Sequence, residues 1–283
     1  MSHVVTVAPQ PWQLAQGAAT VLAVPAATDN LVWVLVCNQT RQAAVVDGPD
    51  AAGALAAVAS LGATLTAVLN THTHGDHVGV NRDLAAKGHL NGLRVYGPAA
   101  TPHAVPGLTH PVDEGDVVEV GALRLQVLRT EGHQFGHISF LIDDALFCGD
   151  TMFAGGCGYL FDGPPEAMFR SLMRLAGLPP DTKVCCAHEY TEDNLRFARS
   201  VEPGNAALIA RSEDVARVRA EGRCTVPSTI EIERATNPFL RPGSPELLAQ
   251  VRLQTGQADL RDPAEVFAAT RSLKDTGRYR DDG

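Results

Sequence analysis

The chain has 283 residues, 45% hydrophobic and 19% charged, which is long enough for one large α/β unit or for a domain with an appendage. Its net charge of −9 arises in residues 1–190, with 9 basic against 17 acidic side chains, whereas residues 191–283 carry 14 against 15. An acidic surface repels phosphate backbones, so we expect no nucleic-acid partner.

Cysteine spacing and hydropathy bear on where the protein acts. The six cysteines form no C-x-x-C pair, and Cys185 and Cys186 are adjacent, so we expect reduced thiols in a cytoplasmic protein. The segment MSHVVTVAPQPWQ lacks the basic and apolar regions of a signal peptide. The uncharged run 51–69 is rich in Ala, Gly, Ser and Thr, which favours a helix followed by a strand over a membrane span.

The first half of the chain is predicted to be rich in strands. Apolar, β-branched runs indicate a hairpin from strands at 31–36 and 44–46, then a helix near 51–60 and a buried strand at 65–69. Further strands are predicted at 93–97, 116–120, 123–128, 138–142 and 145–149, with Asp143 and Asp144 in the turn between the last two.

From Pro165 onward the pattern predicts helices. Their expected ranges are 165–176, 192–200, 205–221, 244–255 and 263–274, interrupted by a strand at 183–187 and a turn at 236–245. The sequence therefore predicts a β-rich body followed by a helical C-terminal part.

The segment NTHTHGDHVGV, residues 70–80, directly follows the strand at 65–69. His-x-His on an extended segment places two imidazoles on one side, two residues apart at ~3.3 Å each, which suits one metal ion. Asp76 and His77 could serve a second ion beside it. For an isolated histidine, a solvated or hydrogen-bonding role is the commoner explanation. The spacing here favours a metal site that includes His72 and His74.

Ligand-type residues also follow three other predicted strands. TEGHQFGH contains His133 and His137, LFCGDT ends in Asp150 and Thr151, and VCCAHEYT contains His188. Together with the histidine segment, these side chains would fill two sites with imidazole and carboxylate, a set that suits zinc, iron or manganese.

This pattern, H-x-H-x-D-H…H…D…H, resembles that of the metallo-β-lactamase superfamily. GDTMFAGGCGYLFDG and HEYTEDNLRFARSVEPGN resemble the hydroxyacylglutathione hydrolase (glyoxalase II) family, and the resemblance spans nearly the whole chain. It implies an α/β fold, an αββα sandwich. It also implies a metallo-β-lactamase-like catalytic domain at 1–190 and a helical substrate-binding domain at 191–283.

The resemblance also implies a ligand set for two divalent ions, with zinc expected and iron or manganese as alternatives. The first ion would be bound by His72, His74 and His133, the second by Asp76, His77 and His188, and Asp150 would bridge them. His133 is selected over His137 by the match of TEGH to the family motif, which leaves His137 a supporting role. Asp47 would orient a ligand imidazole, although a turn-capping role is an alternative.

The implied activity is hydrolysis of S-(2-hydroxyacyl)glutathione thioesters, chiefly S-D-lactoylglutathione to D-lactate and glutathione, in methylglyoxal detoxification. Two ions can lower the pKa of a bridging water toward about 7, so hydroxide would be the nucleophile, with Asp76 as the catalytic side chain. Thiol pKa values lie near ~8.5, so the leaving thiolate needs little protonation.

Glutathione recognition is implied for Tyr190, Arg271 and Lys274. By themselves, Arg271 and Lys274 would indicate a solvated helix face. The family usually has a basic residue at the position of Tyr159, and some members have tyrosine at that of Phe161. Both remain candidate substrate contacts, but one ionic contact is then missing.

Four other classes of protein compete with this interpretation. A persulfide dioxygenase needs one iron and no second ligand set, a β-lactamase needs no basic helical tail, and a ribonuclease of this superfamily needs a basic surface. A non-catalytic zinc protein would have closed, four-coordinate sites. We expect a monomer that acts on a small molecule, with no nucleic-acid or membrane partner.

Overall fold

Two β-sheets packed face to face form the centre of the computed structural model, which describes residues 2–280. The strands in chain order are β1 (Trp12–Gln13), β2 (Ala19–Ala26), β3 (Asn30–Cys37), β4 (Gln42–Val46), β5 (Thr64–Leu69), β6 (Arg94–Pro98), β7 (His110–Val112), β8 (Val117–Val120), β9 (Leu123–Arg129), β10 (Ile138–Ile142), β11 (Ala145–Gly149), β12 (Met152–Phe153), β13 (Gly156–Cys157), β14 (Lys183–Cys186) and β15 (Ser228–Thr229). The helices are α1 (Ala52–Ser60), α2 (Gly79–Ala86), α3 (Pro165–Ala176), α4 (Thr191–Val201), α5 (Ala206–Ala220), α6 (Ile230–Thr236), α7 (Pro245–Thr255) and α8 (Pro263–Asp275).

The strand order places the ends of several strands at one edge. The first sheet runs β1 to β7 in sequence order, and β4, β5, β6 and β7 are parallel. The second sheet has the order β15-β14-β11-β10-β9-β8, with β11 parallel to β14. Loops that follow β4, β5, β9, β11 and β14 carry Asp47, the seven predicted metal ligands, His137 and Tyr190. Such loops are the usual ligand-binding positions in layered α/β folds.

Strand β3 shows why the sheets are covered on both faces. Its side chains alternate, so Leu31 and Trp33 lie in the core between the sheets, where the Trp33 ring is 6.0 Å from that of Phe147 on β11. Val32 and Val34 lie in a second core together with residues of α1 and α2. The α/β class and the αββα sandwich are therefore confirmed.

Most predicted elements are present near their expected bounds. The β10–β11 hairpin has the two-residue turn predicted at Asp143 and Asp144, with Ile142 paired to Ala145. The sequence analysis missed the strands β1, β2, β7, β12, β13 and β15 and the helices α2 and α6. Helix α2 has only two large apolar side chains, Val80 and Leu84, which is too short a pattern to recognise.

Two further expectations can be compared with the structure. All six cysteines are free, as predicted. In the described part of the chain, no helix has the length and apolar character needed to cross a membrane.

Candidate metal centre and substrate cavity

The seven predicted ligands come together at the strand ends. His72, His77, His133, Asp150 and His188 are buried, and His74 and Asp76 are half-buried. Two groups of three lie close enough to hold an ion: His72, His74 and His133, and Asp76, His77 and His188. Within each group, the ligand atoms all lie within 4.8 Å of one another.

The first group has three imidazole nitrogens that converge. Nδ1 of His74 lies 3.1 Å from Nε2 of His72 and 3.0 Å from Nε2 of His133. Two nitrogens bound to one tetrahedral zinc at ~2.0–2.1 Å would be about 3.3 Å apart. His133 Nδ1 donates to the carbonyl of Tyr159 at 2.7 Å, which leaves its Nε2 as the ligand atom.

The second group joins one carboxylate to two imidazoles. Oδ2 of Asp76 lies 3.5 Å from His77 Nε2 and 3.4 Å from His188 Nε2. Asn30 donates from Nδ2 to the same oxygen at 3.0 Å, and His188 Nδ1 lies 2.8 Å from Oδ1 of Asp29. These outer contacts fix the Asp76 carboxylate and the tautomer of His188.

Asp150 lies between the two groups. Its Oδ1 is 3.4 Å from His77 Nε2 and 3.5 Å from His188 Nε2, whereas its Oδ2 is 3.5 Å from His133 Nε2. The two oxygens of one carboxylate therefore face different groups, which is the geometry that a bridging ligand requires.

Buried polar atoms without partners test whether the site fits metal ions. His77 Nε2 and Asp150 Oδ1 are inaccessible to solvent and have no hydrogen-bond partner. Leaving such atoms unpaired costs roughly 1–3 kcal/mol each. A divalent cation between them would satisfy both atoms, and imidazole with carboxylate is a donor set suited to zinc, iron or manganese.

The charges around the site also favour cations. Burial lowers the pKa of His72 and of His133, which keeps both imidazoles neutral and able to bind a metal. For His188, burial opposes the charged form, but Asp150, Asp29 and Asp76 outweigh it and raise the pKa to about 9. The carboxylates around the second group therefore favour a positive charge there, such as that of a metal ion.

Two further predicted residues surround the ligands. Asp47 accepts from the Thr71 backbone N–H at 2.8 Å and the Thr71 hydroxyl at 2.7 Å, and its Oδ2 lies 3.1 Å from His77 Nδ1. Asp47, His72 and His77 also lie near one another as a possible ligand group. Since its oxygens are already engaged, Asp47 is better suited to orienting His77.

His137 differs from the ligands in its hydrogen bonds. Its Nδ1 lies 3.2 Å and 3.1 Å from the hydroxyls of Thr130 and Thr151, and its Nε2 accepts from the backbone N–H of Asp150 at 3.3 Å. Both ring nitrogens are therefore engaged. Its ring stacks on that of His72 at 4.8 Å between centroids, which supports a ligand from behind.

A cavity of ≈ 380 Å³ adjoins the metal centre. Tyr159, Tyr190, Arg271 and Lys274 all line it, together with Asn194. The Tyr190 ring connects this cavity to the metal centre. It stacks on the His188 ring, with 4.7 Å between the ring centroids and 7° between the ring planes. Four of the five predicted substrate contacts therefore share one cavity.

The two cations of this cavity have different partners. Arg271 is 6% exposed, and it donates to the Cys157 carbonyl at 3.0 Å and to Oδ1 of Asp275 at 3.1 Å from Nε. Lys274 donates to the side-chain oxygen of Asn194. Burial and then the nearby Arg271 charge lower the pKa of Lys274 to about 7. Neither residue lies on a solvated helix face, and among residues 2–280 Lys274 has no carboxylate within ion-pair distance.

Phe161 lies outside this cavity. Its ring centroid is 4.8 Å from that of His74 and 5.2 Å from that of His133, and the side chain is 63% exposed. It covers the solvent side of the first ligand group, whereas Tyr159 faces the cavity.

Several residues that complete the site were missed in the sequence analysis. Asp29 and Asn30 hold ligands of the second group, while Asp193 and Arg280 form an ion pair at 2.8 Å on the cavity wall. Asp29 and Asn30 directly precede the strand predicted at 31–36. Two polar residues at the start of a buried strand are the sequence signal that could have indicated their role in the site.

Gln134 connects two of the loops that carry predicted ligands. Its Oε1 accepts from the Thr73 backbone N–H and from the Thr73 hydroxyl, both at 2.9 Å. It thereby ties the loop of His72 and His74 to the loop of His133.

Comparisons with known proteins agree with this geometry. The model of the metallo-beta-lactamase superfamily matches residues 28–188, and that of the hydroxyacylglutathione hydrolase C-terminus matches residues 189–277. A hydroxyacylglutathione hydrolase of Methylococcus capsulatus is 46% identical over 260 residues, covering 91% of this chain and 98% of that protein. One of Pseudomonas putida is 47% identical over 261 residues, covering 90% and 98%.

Solved structures share the fold at lower identity. ETHE1 from Myxococcus xanthus aligns with a TM-score of 0.57 and 24% identity, covering 96% of this chain and 100% of that one. A protein solved in a di-iron-bound form aligns with a TM-score of 0.52 and 26% identity, covering 75% and 95%. By its curated relatives and both family models, the chain belongs to the hydroxyacylglutathione hydrolase family of the metallo-β-lactamase superfamily.

Proposed function

We propose that the protein hydrolyses S-(2-hydroxyacyl)glutathione thioesters, chiefly S-D-lactoylglutathione to D-lactate and glutathione. It would do so with two divalent ions per chain, zinc being the expected metal and iron or manganese the alternatives. The observation that carries the proposal is the pair of ligand groups sharing Asp150, beside a cavity with a buried lysine and arginine. The di-iron form of a related fold supports a two-ion centre.

The ligands divide as they did in the family pattern. His72, His74 and His133 would hold one ion, Asp76, His77 and His188 the other, and Asp150 both. When bound, such ions make water a nucleophile at neutral pH and stabilise negative charge on a carbonyl oxygen.

The remaining steps depend on the side chains of the cavity. Lys274 would bind a glutathione carboxylate through its ammonium group, and Arg271, held by Asp275, would keep the positive potential around it. Tyr190 would line the path from this cavity to the reacting carbonyl. Asp76 is the more exposed of the two ligand carboxylates, with 43% of its side chain accessible against 10% for Asp150, so it would be the catalytic side chain nearest the substrate. The departing thiolate needs no dedicated acid, since thiol pKa values lie near ~8.5.

Turnover of S-D-lactoylglutathione by purified, fully metallated protein tests the proposal, with loss of the thioester absorbance as the readout. Asp76→Asn should lower turnover by at least about 100-fold, because the carboxylate would no longer hold the second ion and its water. The apparent substrate affinity should change less, since the cavity is intact.

A rival activity makes the same experiment decisive. Glutathione persulfide dioxygenases share the sandwich but do not need Asp76, His77 and His188 as a second group. An enzyme that left lactoylglutathione intact and consumed oxygen with glutathione persulfide would replace the proposed function by that one.

We also propose two functional domains that meet near residue 190. Residues 1–190 would bind the metal ions, and residues 191–283 would bind the glutathione carboxylate. The end of the superfamily match at residue 188 supports this division. A monomeric state and a cytoplasmic location stay predictions from the sequence.

A further inference from the structure

A second basic cavity lies on the helical part of the chain, apart from the substrate cavity. It encloses ≈ 720 Å³ between α4, α7, α8 and the 3-10 turn 278–280. Arg196, Arg199 and Arg278 line it, over an apolar floor that includes Phe197 and Tyr279. Cavities of this size are typical of small-molecule sites.

The two cavities are separated by a wall of aromatic side chains. The Tyr279 ring lies 5.2 Å from that of Phe197, and the Tyr279 hydroxyl donates to Asp193 at 2.6 Å. Asp193 and Lys274 belong to the substrate cavity on the other side. The basic side chains near the end of the described chain therefore face two different cavities. Lys274 faces the substrate cavity and Arg278 faces the second one.

The three arginines have no charged partner among residues 2–280. Four acidic side chains of α4, α8 and the residue after α4 are paired with other arginines: Glu192 with Arg219, Asp193 with Arg280, Glu202 with Arg241 and Asp275 with Arg271. Glu246 on α7 accepts from the backbone N–H of Gly204. Arg196 and Arg199 are one turn apart on α4, where like charges repel each other. An anion in the cavity would remove that repulsion.

Arg199 gives an independent indication of a missing partner. Its Nε is inaccessible to solvent and has no hydrogen-bond partner. Because Arg199 lies in the last turn of α4, the helix dipole could account for its charge. The dipole accounts neither for the unpaired N–H nor for Arg278, which comes from a different element.

We propose that this cavity binds a small phosphorylated molecule. A phosphate monoester offers three terminal oxygens, one for each guanidinium, whereas a carboxylate offers two. The planar guanidinium forks match phosphate geometry. The apolar floor would contact the organic part, so a phosphate ester should bind more tightly than inorganic phosphate.

Calorimetric titration of the full-length, metallated protein with glycerol 3-phosphate at low ionic strength tests this inference. One saturable site per chain is expected, with weaker binding of inorganic phosphate and none of glycerol. Arg199→Gln and Arg278→Gln should each weaken the affinity about tenfold or more, because each removes a charge-assisted hydrogen bond. Arg278 is exposed, so its replacement leaves the fold intact even if that of Arg199 does not.

The matched control is Arg261→Gln, which removes an exposed arginine between α7 and α8, outside the cavity. Equal losses in this control and in Arg278→Gln would mean general attraction to the surface and would overturn the proposal. If inorganic phosphate and glycerol 3-phosphate bound with equal affinity, the apolar floor would not contact the ligand. That result would overturn the part of the proposal that concerns the organic group. A chain ending at Arg280 lacks Asp281 and Asp282, and binding seen only in that chain would overturn the proposal by identifying the segment after Arg280 as the occupant.

Discussion

At the residue scale, Asp150 links the two halves of the metal centre. Its two oxygens lie near different ligand groups, and Oδ1 has no hydrogen-bond partner although it is buried. A buried carboxylate with no cation or hydrogen-bond donor beside it would destabilise the fold, because moving an isolated charge out of water costs free energy. Cations held between the two groups would therefore stabilise the charged side chain in this position.

Asp150→Ala should lower metal occupancy in both groups, because each loses one ligand. Elemental analysis of protein prepared with added zinc is the measurement, and about two ions per wild-type chain are expected. Asp143→Asn, in the exposed turn of the β10–β11 hairpin, is the control and should keep full occupancy. Wild-type protein that never exceeded one ion per chain would contradict the two-ion centre.

The Lys274 side chain is the second feature decided at the residue scale. Arg271 is already paired with Asp275, whereas the partner of Lys274 within the described residues 2–280 is an amide oxygen, that of Asn194. Burial and then the neighbouring Arg271 charge disfavour the charged ammonium, and together they lower the pKa of Lys274 to about 7. The sequence resemblance gave both residues equal weight, and the contacts favour Lys274 as the carboxylate-binding group.

Lys274→Ala should raise KM for lactoylglutathione about ten- to a hundredfold with little change in kcat, as expected when uniform binding is lost. Arg271→Ala should raise KM as well, and should also destabilise the fold, because the Cys157 carbonyl loses its buried donor. Steady-state kinetics on lactoylglutathione and on a thioester without the glycyl carboxylate separate these effects. Equal losses on both substrates would mean that neither cation recognises the carboxylate.

The lowered pKa of Lys274 also predicts how binding depends on pH. Lys274 is charged below a pH of about 7 and neutral above it, so KM should rise as the pH increases through that value. Lys274→Arg should abolish this dependence, because the guanidinium stays protonated. A wild-type KM that stayed flat across neutral pH would contradict the assignment.

At the element scale, the site depends on loops that are held against each other. Helix α2 begins at Gly79, two residues after His77, and its Val80 backbone N–H donates at 2.8 Å to the Gly48 carbonyl in the loop that carries Asp47. A Cβ on Gly79 would lie 2.0 Å from the carbonyl oxygen of Pro49. Only glycine therefore allows α2 to approach the loop that orients His77.

Gly79→Ala should displace the loop of Asp47 and lower the free energy of unfolding by roughly 1–3 kcal/mol, the usual effect of overpacking. Metal affinity should fall with it, since Asp47 would no longer orient His77. Gly243→Ala is the control, because a Cβ there meets no atom within 4 Å. Denaturant unfolding that gave the two variants the same midpoint would contradict this role of Gly79.

At the scale of the whole molecule, buried polar contacts fix the C-terminal helices to the body. The Glu233 carboxylate on α6 accepts from the Gly155 backbone N–H at 2.8 Å, Asn237 Nδ2 at 2.9 Å and Arg211 at 2.6 Å. Gly155 lies in the turn between β12 and β13, next to the cavity residue Cys157. The cavity is therefore held in place before substrate arrives, which reduces the ordering cost of binding.

Removal of the metal ions should destabilise the whole protein. Ligand binding to the folded state contributes about 2.7 kcal/mol for a free ion at 100 times its Kd, and the apo centre also leaves buried atoms unpaired. The thermal midpoint should fall on chelation and recover on adding zinc. In the Asp150→Ala variant, chelation and zinc addition should change the thermal midpoint less than in the wild type. An equal change in both proteins would mean that the stabilising metal binds outside this centre.

The sequence by itself determined the ligand-type residues and most elements around them. The spacing of His72, His74, Asp76 and His77 is local, and the strands before His133, Asp150 and His188 have strong apolar patterns, so residue order alone was informative. The family resemblance supplied the fold, which the structure and the comparisons confirm. Helix α2 was missed because its short apolar pattern is stabilised by packing on sheet and loop rather than by its own sequence.

Only the tertiary structure decided which partner each polar group takes. The two Asp150 oxygens face different ligand groups, Lys274 donates to Asn194, and Lys274 and Arg278 face different cavities. These arrangements result from competition among side chains that are distant in sequence. The outcome depends on distances of a few ångströms and on which charges are buried, because electrostatic energies change steeply with separation and with desolvation. Residue order fixes the candidates for such contacts, whereas packing in three dimensions selects among them.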